Sequence, residues 1–204
     1  MNRPKIISGP HSEPITLTEA KAHCRVDDSN SDSLISALII AARESAELYC
    51  ERSFVQRSYR LTLDGFPCNN SSPILLPYPP VVEVTQIQYF DTDGALQTWS
   101  SGEYHVDTES EPGRVLPNYD QSYPSDIDGK RLGAVRVEYV AGYPVDESGS
   151  PSDYVANVPQ LAKQAMLMMV GEWFMNREDT VVGNIIGNIP EPSKAWLWQY
   201  KVFR

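Results

Sequence analysis

Several things are scarce in this sequence, and each scarcity excludes a class of protein. No run is apolar enough to cross a bilayer: the most hydrophobic stretch, Ala165 to Met175, is about half of the roughly 20 residues a spanning helix needs, and it contains Glu172. The opening MNRPKIISGP lacks the run of about 7 to 15 apolar residues of a secretory signal, so the expectation is a protein made and kept in the cytoplasm. There are only three cysteines, Cys24, Cys50 and Cys68, with neither a close pair nor a C-x-x-C spacing, which argues for reduced thiols, two of them buried in helices. Positive charge is also short. With 17 basic against 27 acidic residues, the formal net charge is -10, which disfavours a sequence-reading DNA binder and a ligand of anionic membranes. Net charge does not fix its own distribution, so a local basic patch is compatible with it.

Catalytic and metal-binding patterns are equally thin. His11, His23 and His105 lie in separate segments, and none repeats at helical spacing with another ligand type. Asp91-Thr92-Asp93-Gly94 has its glycine at position four, where a calcium loop needs it at position six, and reads as a hairpin turn. Gly183 to Asn188 is glycine-containing but lacks the Lys-Ser/Thr of a phosphate loop, and reads as a flexible or partner-ordered loop. No G-x-S-x-G elbow occurs. The expectation is no catalytic residue, no metal site and no cofactor. A small hydrolase with a carboxylate pair stands as the remote alternative, and would require an enclosed pocket holding two acids with shifted pKa values.

What is present is a 204-residue chain, 41% hydrophobic, able to bury a proper core. In Pro14 to Val26, Thr18 is positioned to cap a short helix. Ser31 or Asp32 then caps a longer one reaching about Arg52, with Leu34, Ile35, Leu38, Ile39, Ala42, Ala46 and Tyr49 on one face. From Phe54 the pattern turns to short alternating runs: Tyr59, Leu61 and Leu63; Val82, Val84, Ile87 and Tyr89; Val135, Val137 and Tyr139. The prolines of Pro77-Tyr78-Pro79-Pro80 belong between strands or at an edge, and Asp107 to Lys130 reads as a long exposed loop. Helical pattern returns at Val158-Pro159 and runs to about Arg177, with Leu161, Ala165, Met166, Met169, Val170, Trp173 and Phe174 making a central buried helix. A last short helix covers roughly Glu191 to Tyr200. The order predicts an α+β protein: a bundle of N-terminal helices (14–53) and C-terminal helices with their tail (155–204), and a β-rich insertion between them (54–145).

The tail is the feature that stands out. Trp196, Trp198, Tyr200 and Phe203 fall within nine residues, mixed with Leu197, Lys201 and Arg204. Exposed aromatics at a chain end are a liability without a partner, and Trp, Tyr and Arg dominate interface hot spots. These seven residues are the candidate docking surface. Deleting Trp196 to Arg204 is expected to remove binding without unfolding the rest.

A series of short segments then carries a resemblance: Ile15-Thr16-Leu17-Thr18-Glu19-Ala20-Lys21 with Arg25-Val26-Asp27; Leu34-Ile35-Ser36-Ala37-Leu38-Ile39; Leu61-Thr62-Leu63-Asp64-Gly65-Phe66-Pro67; Ile74-Leu75-Leu76-Pro77; Tyr89-Phe90-Asp91 with Asp93-Gly94; Val137 to Tyr143; Gln164-Ala165; Trp173 to Glu178; and Trp196 to Lys201. In this order they resemble the phage head-to-tail connector, or head-completion adaptor, family of long-tailed phages and prophages, over nearly the whole chain. Gln199 stands where the family's closing pattern has a proline. The resemblance implies a structural virion protein at the head-tail junction, held in the host cytoplasm before assembly. Its implied partners are the portal protein, neighbouring copies in a homo-oligomeric ring of twelve, and stopper or tail proteins, with DNA passing through the channel without sequence-specific binding. The alternative within the same setting is another virion part, a stopper or tail-completion protein.

Overall fold

The computed structural model describes residues 3–10, 12–146, 155–176, 180–181, 184–185 and 189–203. The chain divides into two compact units, Met1–Pro10 with Gln56–Gly142, and His11–Val55 with Tyr143–Arg204.

The first unit is built from strands. A five-stranded antiparallel sheet runs in the order β1 (Lys5–Ile6), β2 (Arg57–Leu63), β8 (Val135–Ala141), β4 (Val81–Phe90), β5 (Leu96–Trp99). A three-stranded antiparallel sheet places β7 (Gly113–Pro117) between β3 (Ile74–Leu76) and β6 (Tyr104–Asp107). On β8 the alternation is regular: Val135, Val137, Tyr139 and Ala141 are buried, and Arg136, Glu138 and Val140 only partly so. On β4 two register shifts, between Val81 and Glu83 and between Val84 and Gln86, move successive side chains off a strict two-residue period. Val82 is therefore exposed whereas Ile87 is buried, against the expectation that both point inward.

The second unit carries the helices. α1 (Leu17–Cys24) starts at Thr16, whose hydroxyl accepts from the Glu19 amide at 3.1 Å while the Glu19 carboxylate accepts from the Thr16 amide at 2.9 Å. The reciprocal cap corrects the choice of Thr18: only Thr16 has a glutamate three residues on, whereas Thr18 would have Lys21 there, which cannot accept. α2 (Asp32–Cys50) buries Ile35, Ile39, Ala42, Arg43, Ala46 and Cys50. Leu34 lies outside that face and is exposed. α3 (Gln160–Met175) follows Pro159 and buries Ala162, Ala165, Met166, Leu167, Met169 and Val170. α4 (Glu191–Leu197) passes into a single 3-10 turn, Trp198–Tyr200. Two short antiparallel pairs complete the unit, β9 (Val145–Asp146) with β10 (Val155–Ala156), and β11 (Thr180–Val181) with β12 (Asn184–Ile185). The predicted loop Gly183 to Asn188 contains β12, and its other residues lie outside those described.

Two further expectations are corrected. The class is not a helical bundle of N- and C-terminal helices with a β-rich insertion: the chain is β-rich, with four helices and two main antiparallel sheets among the described residues. α1 and α4 have only eight and seven residues, too short to present bundle-length seams. The sheet also takes in β1 from the chain's start, through Lys5 opposite Arg60 and Ile6 opposite Tyr59, so it is not one continuous insertion. The second correction concerns Asp107 to Lys130, which is not one exposed loop. It contains the central strand β7 and the buried ring of Tyr123, whose hydroxyl donates to the Ser72 carbonyl at 2.8 Å. Glycine is required at the start of β7, because a Cβ on Gly113 would lie 2.7 Å from a Val81 methyl.

Candidate interface at the carboxyl-terminal end

The end of the chain is fixed to the helical unit by groups about 150 positions away in sequence. The Cys50 thiol donates to the Leu197 carbonyl at 3.4 Å, and the Val202 amide donates to the Cys50 carbonyl at 2.9 Å. Arg52 donates from Nε to the Tyr200 carbonyl at 3.0 Å and from a terminal nitrogen to the Tyr143 hydroxyl at 3.3 Å. The buried ring of Phe54 lies parallel to Tyr143, centroids 6.2 Å apart, and edge-on to Tyr200 at 6.4 Å. Upstream, the buried Ser193 hydroxyl donates to the Ala165 carbonyl at 3.1 Å, tying α4 to α3. Burial pushes the Cys50 thiol up to about 12, partly opposed by the charges of Arg52 and Lys201, so it stays a protonated donor.

This anchoring sorts the seven predicted tail residues. Leu197 is fully buried in the core of the helical unit, and Trp196 and Tyr200 are half-buried against it. Lys201 is half-buried, its ammonium 5.0 Å from the Tyr49 ring centroid and 5.3 Å from that of Trp198. Trp198 and Phe203 face outward at 53% and 65% exposure, edge to face with centroids 5.3 Å apart. Arg204 lies outside the described residues. The sequence reading missed Val202, which is buried, and Arg52, whose backbone-directed hydrogen bond has no signature in sequence. No proline ends the last helix. It stops by tightening into the 3-10 turn and then extending at Lys201 (φ -70, ψ 129), where Val202 reaches Cys50. The structure also corrects the deletion expected to be harmless to folding: removing residues 196–204 would take Leu197 and Val202 out of a buried environment.

Some of the remaining candidate residues have structural roles. Asp91 accepts from the amides of Asp93 at 3.0 Å and Ala95 at 2.8 Å and from the Gln97 side chain at 2.6 Å, which is the hairpin turn, with Gly94 at φ +80. His23 packs against α3 where Gly171 leaves room: a Cβ there would be 3.0 Å from Nε2. His105 is exposed, and His11 lies outside the described residues. Among the described residues no group of three or more His, Cys, Asp or Glu side chains is placed to hold a metal. An open groove of about 570 Å³ in the β unit is lined by Leu61, Leu63, Phe66, Pro67, Ile74 and Leu75 and presents no carboxylate pair. The carboxyls of Asp91 and Asp107 are lowered, the first mainly by the Gln97 side chain and the second mainly by the Ser110 hydroxyl and Arg114. In Glu19 and Glu138 partial burial raises the carboxyl but is outweighed by Lys163 and Thr16 for the first and by Gln86 and Arg60 for the second. A general acid working near neutral pH needs the opposite shift.

Residues 14–95 match the sequence model of a family described as Phage gp6-like head-tail connector protein. That stretch, less than half of the chain, is thus similar to the head-tail connectors of phage-like particles. No curated protein matches the chain. Among solved structures, a chain from the neck of an empty gene transfer agent (GTA) particle, computed with C6 symmetry, is 17% identical with a TM-score of 0.75, the alignment covering 100% of this chain and 97% of that one. A chain from the virion of the native GTA particle is 17% identical at a TM-score of 0.74, with the same coverage. One from the neck of the native particle, computed with C12 symmetry, is 18% identical at 0.66, again over 100% and 97%. At such identity these likenesses establish a shared fold.

Proposed function

We propose that this chain is a non-catalytic adaptor at the head-to-tail junction of a phage or phage-like particle, forming a ring between portal and tail around the DNA channel. The observation that carries the docking part of this reading is the exposed Trp198–Phe203 pair on an anchored tail. Two large rings held edge to face, each preceded in the chain by a buried residue, Leu197 and Val202, present apolar area at little further ordering cost, as an interface anchor requires. The family match over residues 14–95 and the shared fold with neck chains of C6 and C12 symmetry support the location and the ring, a twelve-membered one in particular. A net charge of -10 suits a channel wall that does not hold phosphates.

The test is the mass of the complex formed with the cognate portal ring, by native mass spectrometry. The wild-type chain should give a complex of defined stoichiometry. Trp198→Ala/Phe203→Ala should weaken it at least about 30-fold, the loss of one hot spot of about 2 kcal/mol. Failure of the wild type to bind the portal, with capture of a stopper or tail protein instead, would move the chain to the tail side of the junction. Tight, salt-sensitive DNA binding by the assembled ring would overturn the channel-wall argument.

A further inference from the structure

The face of the five-stranded sheet turned away from its core carries a basic and aromatic platform, separate from the carboxyl-terminal tail. β4 ends with Ile87 and Tyr89 turned to the core, which leaves Phe90 on the other face. The Arg131 guanidinium carbon lies 3.6 Å from the Phe90 ring centroid and that of Arg136 lies 5.0 Å away. Stacked guanidiniums have already lost part of their rotamer freedom and keep their edge donors available for a partner. Among the described residues neither arginine has an ion-pair partner. Glu138, whose carboxyl feels the charge of Arg136, is itself held by Arg60 and Gln86. Leu96, paired with Phe90 across the hairpin, is 44% exposed, and Leu132, next to Arg131, is 86% exposed. Arginine, an aromatic ring and bare aliphatics together have the composition of a protein-binding surface.

A complementary element sits elsewhere on the same unit. After β7 the chain makes a turn in which the Gln121 amide donates to the Asn118 carbonyl at 2.9 Å. Asn118 is pinned at the base, its amide donating to the Glu103 carbonyl at 2.9 Å and its side chain to the Gly102 carbonyl at 2.7 Å. At the apex Tyr119 is 92% exposed, beside the exposed Asp120 in the left-handed region at φ 59. The turn therefore presents a phenol ring and a carboxylate side by side on a fixed base. A carboxylate can pair with a guanidinium, the contact the platform lacks, and a second ring can stack on a guanidinium face that Phe90 leaves open.

We infer that the Tyr119–Asp120 turn of one copy docks on the Phe90–Arg131–Arg136 platform of the next. The inference rests on the ring reading and supplies its subunit contact. Turn and platform are different surfaces of one chain, so the contact is heterologous and closes into a ring when its rotation allows. Copies that each carry -10 repel one another, and a local positive platform is where opposite signs can meet. DNA fits the platform less well than a second copy does. Its rim is aliphatic, and the adjoining segment carries Asp126 and Asp128, joined to the end of β4 through the Thr92 amide on the Asp126 carbonyl and the Asp128 amide on the Phe90 carbonyl.

The test follows assembly of the full chain, alone at raised concentration and on the cognate portal, by sedimentation and native mass spectrometry. Tyr119→Ala and the double variant Arg131→Ser/Arg136→Ser, all at surface positions, should each raise the half-assembly concentration about tenfold with thermal unfolding unchanged. In a Cys68→Ser background, a mixture of Tyr119→Cys chains with Leu132→Cys chains should form covalent dimers on mild oxidation, and either chain alone should not. Wild-type assembly by all variants, or equal cross-linking of each chain alone, would overturn the contact and leave the adaptor reading standing. Normal assembly of the arginine variant with reduced DNA retention would make the platform a phosphate site and overturn the contact as well. A wild type that assembles neither alone nor on the portal would sink both.

Discussion

The two units bury polar atoms in different ways. In the β unit the polar interior holds phenols beside the buried Arg57: Tyr139 donates to the Pro77 carbonyl at 2.7 Å and Tyr123 to the Ser72 carbonyl at 2.8 Å, within a cluster that also holds Trp99, Tyr104 and Phe66. In the helical unit the helix faces are largely aliphatic and alanine-rich, and the buried polar groups include an ionic cluster. The buried Arg43 donates from Nε to Glu13 at 2.7 Å and from a terminal nitrogen to Glu47 at 3.0 Å, while Glu47 also accepts from the Phe54 amide at 2.9 Å. Short side chains such as Ala42, Ala46, Ala162 and Ala165 let helices approach closely. The sheets have wider gaps that Tyr and Trp fill, provided each hydroxyl finds a carbonyl. The units should therefore respond differently to mutation and to pH.

Phe54→Ala should be the most damaging single change, costing about 3 to 5 kcal/mol because it empties a fully buried ring site between Tyr143 and Tyr200. Urea unfolding would measure it, and hydrogen exchange would show whether protection falls in the helical unit ahead of the β unit. Arg43→Ala should cost about 3 kcal/mol, since it strands the carboxylates of Glu13 and Glu47. A value below about 1 kcal/mol would mean that water reaches those acids and that the ionic element contributes little. Tyr139→Phe tests the phenolic counterpart and should cost about 1 to 2 kcal/mol, the penalty for an unpaired Pro77 carbonyl.

Alkaline titration sharpens the contrast. Burial pushes the Tyr123 phenol up to about 12 from an ordinary value of 10, so the folded state holds its proton more tightly than the unfolded state. Its contribution is complete below pH 10 and is lost as pH rises from 10 towards about 12. The tyrosinate absorbance contributed by Tyr123 should thus appear together with β-unit unfolding, and Tyr123→Phe should remove that part of both the absorbance and the pH dependence. The smallest stability effect is expected from Trp198→Ala, within about 0.5 kcal/mol, because the ring is half in solvent. Paired with Leu197→Ala, which should cost at least about 2 kcal/mol, it separates a residue serving the fold from its neighbour offered to a partner.

Much of this molecule was legible in the chain itself, where the signal is local. The three- and four-residue spacing of Ile35, Ile39, Ala42 and Ala46 marks α2, and alternation of Val135, Val137 and Tyr139 marks β8, because each pattern repeats with the period of its own backbone. Asp93-Gly94 marks its hairpin by the positive φ that glycine accepts. Strand β7 stayed hidden. Gly113-Arg114-Val115-Leu116-Pro117 has too little apolar alternation to announce a strand, and its place between β3 and β6 comes from partners at Leu76, Ile74, Val106 and Tyr104. The same limit governed the tail. Sequence determined that its end is rich in aromatic residues, but only the tertiary structure decided that Leu197 and Val202 turn in while Trp198 and Phe203 turn out. That choice is made by Cys50 and Arg52, whose hydrogen bonds join segments about 150 residues apart, and no local periodicity encodes a contact at that range.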